Sequence, residues 1–530
     1  MSGIGRASAF LASGTIVSRI LGFVKAIVLL EALGVIGVSG DAFGTATAIP
    51  NSIYAVIGGG LLSAVLVPQI VRASKAEDGG RAFINKVVTI AIVVFAIVAI
   101  AATAAAPLLV QVVGAKSAEL STAFAYWVMP QIFFLGLYAL LGEVLNARRY
   151  FGPFTWAPVA NNIVGITSLF VFIALFGSDA GGSRTTDDWS PEMVGFLGGG
   201  ATLGMVVQAL LLAYFWRRIG LSYRPDFRWR GVGLRATGTA AGWTLGMLVA
   251  TQAAGIIEIN VANDASGDEA SVIALTTAWL IFMLPHSVIT VSLVTAFYPR
   301  MAEHAVSDDQ QSLRRDIATA LRAVALPLVL ASAAITVAAY PFAQVFTPQF
   351  ADVQALASVI VAYGIGLVPF SLLFVVQRAF YAMGNTRTPF FFTVTQALIV
   401  IVGVLVCATL PKDQIAPGIA LVVSGATLIQ LLVAATLLYR RIGWAGRGVP
   451  RSLMTNLGAI APAAAVGFAT ASLVGSFSPT GFAMQGRLEA LVAMGAIGAA
   501  MALVYLLCLA LFRSPDLRIV GDTIARLRRR

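Results

Sequence analysis

Residues 14 to 27 read GTIVSRILGFVKAI, inside an apolar run from about Ser8 to Gly34. About 20 apolar residues in a helix cross roughly 30 Å of hydrocarbon, so this run can span a bilayer. Yet Arg19 falls near its middle, about 17 Å from the start at about 1.5 Å per residue, and Lys25 lies about 9 Å further on. A charge at the centre of a membrane helix costs about 2.5–3.5 kcal/mol. Two such residues therefore predict a cavity and a partner of opposite charge.

The rest of the chain agrees with a membrane setting. Of 530 residues, 58% are hydrophobic and only 11% charged, and the mean hydropathy is +0.88. These values lie far from those of soluble globular domains. No ten-residue segments of alternating polarity suggest a β-barrel. The first apolar run is too long and too charged for a cleaved signal peptide, so it reads as the first retained span. Two cysteines, Cys407 and Cys508, and two histidines, His286 and His304, are too few for a disulfide framework or a transition-metal centre. No cofactor is expected.

Apolar runs between charged and Gly/Pro clusters predict helices at 8–33, 41–71, 83–114, 119–146, 153–176, 193–216, 236–259, 270–298, 317–346, 353–381, 388–410, 415–439, 452–476 and 486–512. The expected fold is all-α and polytopic, with fourteen transmembrane helices. Short cytoplasmic loops concentrate Lys and Arg. With the N-terminus inside, only Lys116, Arg184, Lys412 and Arg487 among the loop cations fall outside. Both termini are then expected in the cytoplasm. The same bias accounts for the net charge of +11 without a nucleic-acid partner. The basic end, with RLRRR at its close, could lie on an anionic leaflet or fray.

Two landmarks recur at nearly one offset. Pro50 and Pro285 are 235 residues apart, and Pro153 and Pro389 are 236 apart. The segment RRYFGPFT from Arg148 is echoed by RAFYAMGNTRTPF from Arg378. A repeat offset by six helices keeps both copies in one orientation, a parallel pseudo-twofold arrangement suited to alternating access. The expected domains are an N-lobe over 1–218, a C-lobe over 219–441, two further helices over 442–513 and a basic tail over 514–530.

The acidic residues in or beside spans, Glu31, Asp41, Glu143 and Glu258, fall near helix ends. None matches the depth of Arg19, which points to an anionic substrate as the missing counter-charge; the planar Arg fork suits phosphate. Lys25 could instead snorkel to the interface. Gly14, Ser18, Gly22 and Lys25 form a small and polar stripe, as at a packing seam or a solvated face. Pro50 and the run Gly58, Gly59, Gly60 can bend span two. His286 either faces a cavity or bonds a neighbouring helix. Asn161 and Asn162 are candidate cavity residues. Arg378 and Arg387 follow the orientation bias or draw anionic head groups to an entrance.

Four clusters together, Ser18-Arg19-Ile-Leu-Gly22-Phe-Val-Lys25, Asp41-Ala-Phe, Ile49-Pro50-Asn51 and Ser63 with Val67-Pro68, joined by RAFYAMGNTRTP at 378–389, resemble the MurJ (MviN) family of lipid II flippases. These belong to the multidrug/oligosaccharidyl-lipid/polysaccharide exporter superfamily of bacterial membranes. The resemblance implies two six-helix lobes, a cationic cavity for the diphosphate head group, and a groove for the polyprenyl tail on helices thirteen and fourteen. It implies substrate-binding roles for Arg19, Lys25, Ser18, Asp41, Asn51 and Asn162, and entrance or gate roles for Gly22, Pro50, Gly59, His286, Arg378 and Arg387. The chain departs from the family at Tyr54/Ala55 and at Leu280, where arginines are common. Lipid II or a similar polyprenyl-diphosphate precursor is the expected partner, with membrane lipids and cell-wall synthesis machinery, in the bacterial cell membrane. Alternatives are another polyprenyl-diphosphate flippase, a drug/cation antiporter, which would want a midplane carboxylate, and a non-transporting cell-wall scaffold. A membrane-embedded transferase or phosphatase would need acidic, histidine or metal-binding residues converging near a loop, and none converge.

Overall fold

A computed structural model describes residues 3–56, 81–148, 150–218, 223–227, 238–443 and 448–517. The described chain is helical, as a lipid-embedded backbone must be when it has to satisfy its own N–H and C=O groups. Two compact units divide it, Met1–Gly267 and Asp268–Arg530.

In the first unit the helices are α1 (Gly3–Leu33), α2 (Val38–Tyr54), α3 (Arg81–Ala104), α4 (Ala106–Val112), α5 (Ala118–Val128), α6 (Gln131–Ala147), α7 (Gly152–Phe176), α8 (Pro191–Arg218) and α9 (Gly238–Asn263). Two spans expected to be continuous are broken. The third divides at Ala105, ahead of Pro107, and the fourth at Met129, ahead of Pro130. Proline lacks an N–H and clashes with the preceding turn, and the pattern of apolar residues alone does not register that. α9 joins this unit through its C-terminal end, where Asn260 Nδ2 donates to Val112 O at 3.2 Å and Asn263 Nδ2 to Val113 O at 2.9 Å.

The second unit contains α10 (Val272–Pro285), a wide π turn at His286–Thr290, α11 (Val291–Val306), α12 (Gln310–Val337), α13 (Ala339–Gln344), α14 (Phe350–Ala382), α15 (Arg387–Cys407), α16 (Lys412–Ile442), α17 (Gly448–Leu473) and α18 (Arg487–Leu511). A π turn also begins at 55–56, shortly after Pro50, so both copies of the proline landmark precede a widened helix. Beyond α18, Asp516 is buried and accepts from Arg322 Nε at 2.7 Å and from Ser452. Tyr505 Oη donates to Leu326 O at 3.1 Å. These contacts fasten α17, α18 and the chain beyond them to α12.

Twelve of the described helices are long and apolar enough to cross a membrane. The remaining two expected spans fall on α1, which carries Arg19 and Lys25, and on α2, whose expected continuation to 71 lies outside the described residues, as does Gly59.

The loop joining α7 to α8 packs against the turn that follows α1. Asp179 accepts from the main-chain N–H of Ser183 at 2.8 Å and of Arg184 at 3.0 Å. Arg184 in turn donates to Phe176 O at 2.6 Å and Ala32 O at 3.3 Å. Trp189 Nε1 donates to Ser39 Oγ at 2.8 Å. Gly182, at φ +63°, lies so close to the turn after α1 that a Cβ there would stand 1.8 Å from Ile36 O.

Candidate functional site

The stripe Gly14, Ser18, Gly22, Lys25 faces α7. A Cβ on Gly14 would lie 2.8 Å from Trp156 Nε1, and one on Gly22 3.7 Å from Asn162 Nδ2. Asn162 Nδ2 donates to Ser18 O at 2.9 Å. Close backbone approach through small residues is the usual way membrane helices pack, and the stripe forms such a seam. Its last member is too large for a seam. The Lys25 side chain fits because α7 carries glycine at 165: a Cβ there would stand 2.8 Å from Lys25 Cε and 3.1 Å from Nζ.

Beyond Gly165 lies a partly open cavity of about 200 Å³. Lys25 and Leu29 of α1, Phe43, Thr47 and Asn51 of α2, Gln131 of α6, Gly165, Ser168 and Leu169 of α7, and Leu197, Ala201 and Met205 of α8 line it. Among the described lining residues the Lys25 ammonium is the one charge, and there is no Asp or Glu. Among the described residues Lys25 has no hydrogen-bond or ion-pair partner. Asn51 Nδ2 is engaged by Thr47 O at 3.0 Å and Gln131 Nε2 by Thr202 Oγ1 at 3.1 Å, which leaves their carbonyl ends for other partners. A lone cation beside neutral polar groups in a membrane interior is an arrangement that an anion completes.

Arg19 is elsewhere. Six residues turn a helix by about 240° beyond a full circle, so Arg19 and Lys25 occupy different faces of α1. Arg19 is exposed together with Ile16 and Ile20, does not line the cavity, and has no carboxylate partner among the described residues. Asp41 is buried in the first turn of α2 and does not line the cavity either; Pro50 is buried inside α2. The cavity thus gathers Lys25 and Asn51, with Ser18, Gly22 and Asn162 on the adjoining seam. Asn161, beside it, donates to Gln208 Oε1 at 2.8 Å and so ties α7 to α8.

The remaining candidates lie in the second unit. His286 is buried, with Nδ1 3.0 Å from Ser371 Oγ and its ring edge-on to Phe370 and Phe374. Arg378 stacks over Phe374 at 4.9 Å and Tyr298 at 5.7 Å. Arg387 is exposed, over the Phe391 ring at 5.7 Å. Thr47, Gln131, Gly165 and Ser168 were not singled out from sequence. Their one signal is the spacing Asn162, Gly165, Ser168, a polar and small face at intervals of three.

Residues 31–491 match the family model described as lipid II flippase MurJ. The match begins beyond Arg19 and Lys25. A probable lipid II flippase MurJ of Rhizobium meliloti (strain 1021) is 28% identical over 518 residues, 93% of this chain and 91% of the relative. One from Borreliella burgdorferi is 23% identical over 72% of this chain and 73% of its own length. Among solved structures, a lipid II flippase MurJ in an inward closed conformation superposes with a TM-score of 0.72 at 18% identity, over 95% of this chain and 98% of the other. An inward-facing multidrug resistance MATE transporter of the MOP superfamily gives 0.63 at 18% identity, over 80% and 95%. At these identities the structural likeness speaks for the fold.

Proposed function

The chain belongs to the lipid II flippase MurJ family, and on that basis we propose that it carries lipid II from the cytoplasmic to the outer leaflet by alternating access. The observation that carries the reading, beside the family, is the Lys25 ammonium, without an acidic partner among the described residues that line its cavity. Such a site suits the diphosphate that joins the sugar-peptide head to its polyprenyl tail. Arg19, on another face of the same helix, supplies a second contact for the anionic head group. The polyprenyl chain stays in lipid and runs along α17 and α18. Both termini lie in the cytoplasm, as the Lys/Arg distribution predicts. The process needs no covalent step: binding in one conformation and release in another suffice.

A drug/cation antiporter is the reading that the MATE fold likeness raises. The cavity disfavours it, because a cationic cargo would meet Lys25 and, among the described lining residues, no carboxylate. The test is complementation of a flippase-depleted bacterium by the full chain, reading externally exposed lipid II. The chain is expected to restore that exposure, and Arg19→Ala at equal membrane abundance is not. Normal growth with no lipid II exposed outside would sink the flippase reading and leave a scaffold.

A further inference from the structure

We propose that the first unit holds a bound phospholipid with an amine headgroup. One acyl chain fills a groove between α3, α5 and α6, and the ammonium sits between Glu119 and Asp187. The site is separate from the Lys25 cavity, and its occupant is not the cargo.

The groove arises where the two proline breaks of this unit meet. Ala104, beside the break at Ala105, and Pro130, beside the break at Met129, both line a hollow of about 530 Å³. Its walls are apolar: Ala96 and Ala99 of α3 leave the space that Phe133 and Phe134 of α6 bound. Ile97 and Ile100, next to that wall, are 61% and 70% exposed, as expected of a membrane helix on its lipid side. From Ala104 to Ala96 the groove follows α3 for about 12 Å at about 1.5 Å per residue. Half of the hydrocarbon core measures about 15 Å. The groove therefore matches the hydrocarbon of one leaflet, the length of one acyl chain.

Tyr126 joins this groove to a second hollow, of about 470 Å³, since it lines both. The second hollow is polar and aromatic, with Glu119 and Trp127 of α5 and Asp187 and Trp189 of the α7–α8 loop in its lining. Glu119 lies about 10 Å from Tyr126 along α5, toward its N-terminus, at headgroup height if the groove runs through hydrocarbon. Tyr and Trp favour that boundary. The Trp127 side chain lies against a bare strip of α8: a Cβ on Gly198 would stand 2.7 Å from Trp127 Cβ, and one on Gly199 3.4 Å from Cε3.

The charges select the headgroup. Neither Glu119 nor Asp187 has a hydrogen-bond or ion-pair partner among the described residues, and no Lys or Arg is among the described lining residues. Arg184, near the Trp189 ring, donates instead to Phe176 O and Gly177 O. A primary ammonium offers three donors to the two carboxylates, and the indole faces add cation–π attraction. A headgroup of net negative charge meets repulsion there.

The test uses the full chain in mild detergent with equal amounts of phosphatidylethanolamine and phosphatidylglycerol of matched chains, and counts retained lipids by native mass spectrometry. Wild type should retain the amine lipid about tenfold over the glycerol lipid, a ratio within reach of charge-assisted hydrogen bonds. Glu119→Gln with Asp187→Asn, both at exposed positions, should bring the two lipids within about twofold. Glu192→Gln, an acid of the first turn of α8 that lines neither hollow, should keep the wild-type ratio. Ala96→Leu should lower retention of both lipids by filling the groove. If that variant fails to fold, Thr103→Leu fills the same groove two turns away and carries the same expectation. Equal retention of the two lipids by wild type, or an unchanged ratio in the double variant, would overturn the proposal. So would a tetralysine peptide or glycerophosphoethanolamine, which lack acyl chains, displacing the lipid at equal concentration.

Discussion

The side-chain amide of Asn162 donates to the main-chain carbonyl of Ser18 at 2.9 Å, which pins α7 to α1 between the depths of Arg19 and Lys25. Interhelical hydrogen bonds in membranes contribute on average about 0.6 kcal/mol. Asn162→Ala should therefore lower the thermal midpoint by only a few degrees. Its larger effect should be on transport, because the seam that sets the angle of Lys25 loosens. Thermal unfolding and lipid II exposure measured on the same variant separate the two.

Arg322 and Asp516 form a part-buried ion pair, with side-chain exposures of 21% and 1%. Removing one partner of such a pair costs about 3–5 kcal/mol, whereas replacing both with apolar residues is often neutral. Asp516→Ala should unfold at markedly lower temperature, and Arg322→Met with Asp516→Leu should recover most of the loss. A double variant no better than the single one would mean that the pair does not act as a unit.

Gly182 holds a left-handed conformation at φ +63° against Ile36 O. Gly182→Ala should destabilise by more than about 1 kcal/mol, since alanine is disfavoured at positive φ and has no room for its methyl group. Limited proteolysis should then cut within 177–190 faster than in wild type.

At the start of α12, the Ser312 side chain and then its main-chain N–H, at 3.0 Å, hydrogen-bond the Asp309 carboxylate and hold it below the usual aspartate range. A carboxyl depressed in the folded state contributes stability above its unfolded pKa and loses it as the pH falls through the folded one. The thermal midpoint of Asp309→Ala should therefore lie below wild type at neutral pH, and the gap should close once the solution is acidic enough to protonate the cap.

An inside-negative potential favours outward movement of an anionic head group, by about 2.3 kcal/mol per charge and 100 mV. Collapsing the potential should slow lipid II exposure. Unchanged exposure would remove the potential as a driving force.

Much of this was legible in the sequence because membrane insertion writes itself into composition. Runs of apolar residues and the placement of Lys and Arg follow from bilayer thickness and orientation, and they located most helices, including those that begin at Gly152, Phe350 and Arg487. The breaks at Ala105, Met129 and Ala338 were missed, since a broken helix keeps the same hydropathy. The site was half legible. Arg19 and Lys25 stand out because charge at depth is costly, but their divergence on α1 required counting turns rather than depth. Gly165 was hidden, because nothing in one sequence says which distant side chain packs against it. The stripe of Gly14, Ser18, Gly22 and Lys25 was visible as a pattern, and only packing shows that α7 is its partner.

The central claim is that the cation of Lys25, held in the first unit without an internal counter-charge, is what the substrate's phosphates meet. The measurement that bears on it most directly is externally exposed lipid II in flippase-depleted cells expressing Lys25→Met and Lys25→Arg at wild-type membrane levels. The account predicts at least a tenfold loss for Lys25→Met and substantial recovery for Lys25→Arg. Full exposure of lipid II by the uncharged variant would contradict it.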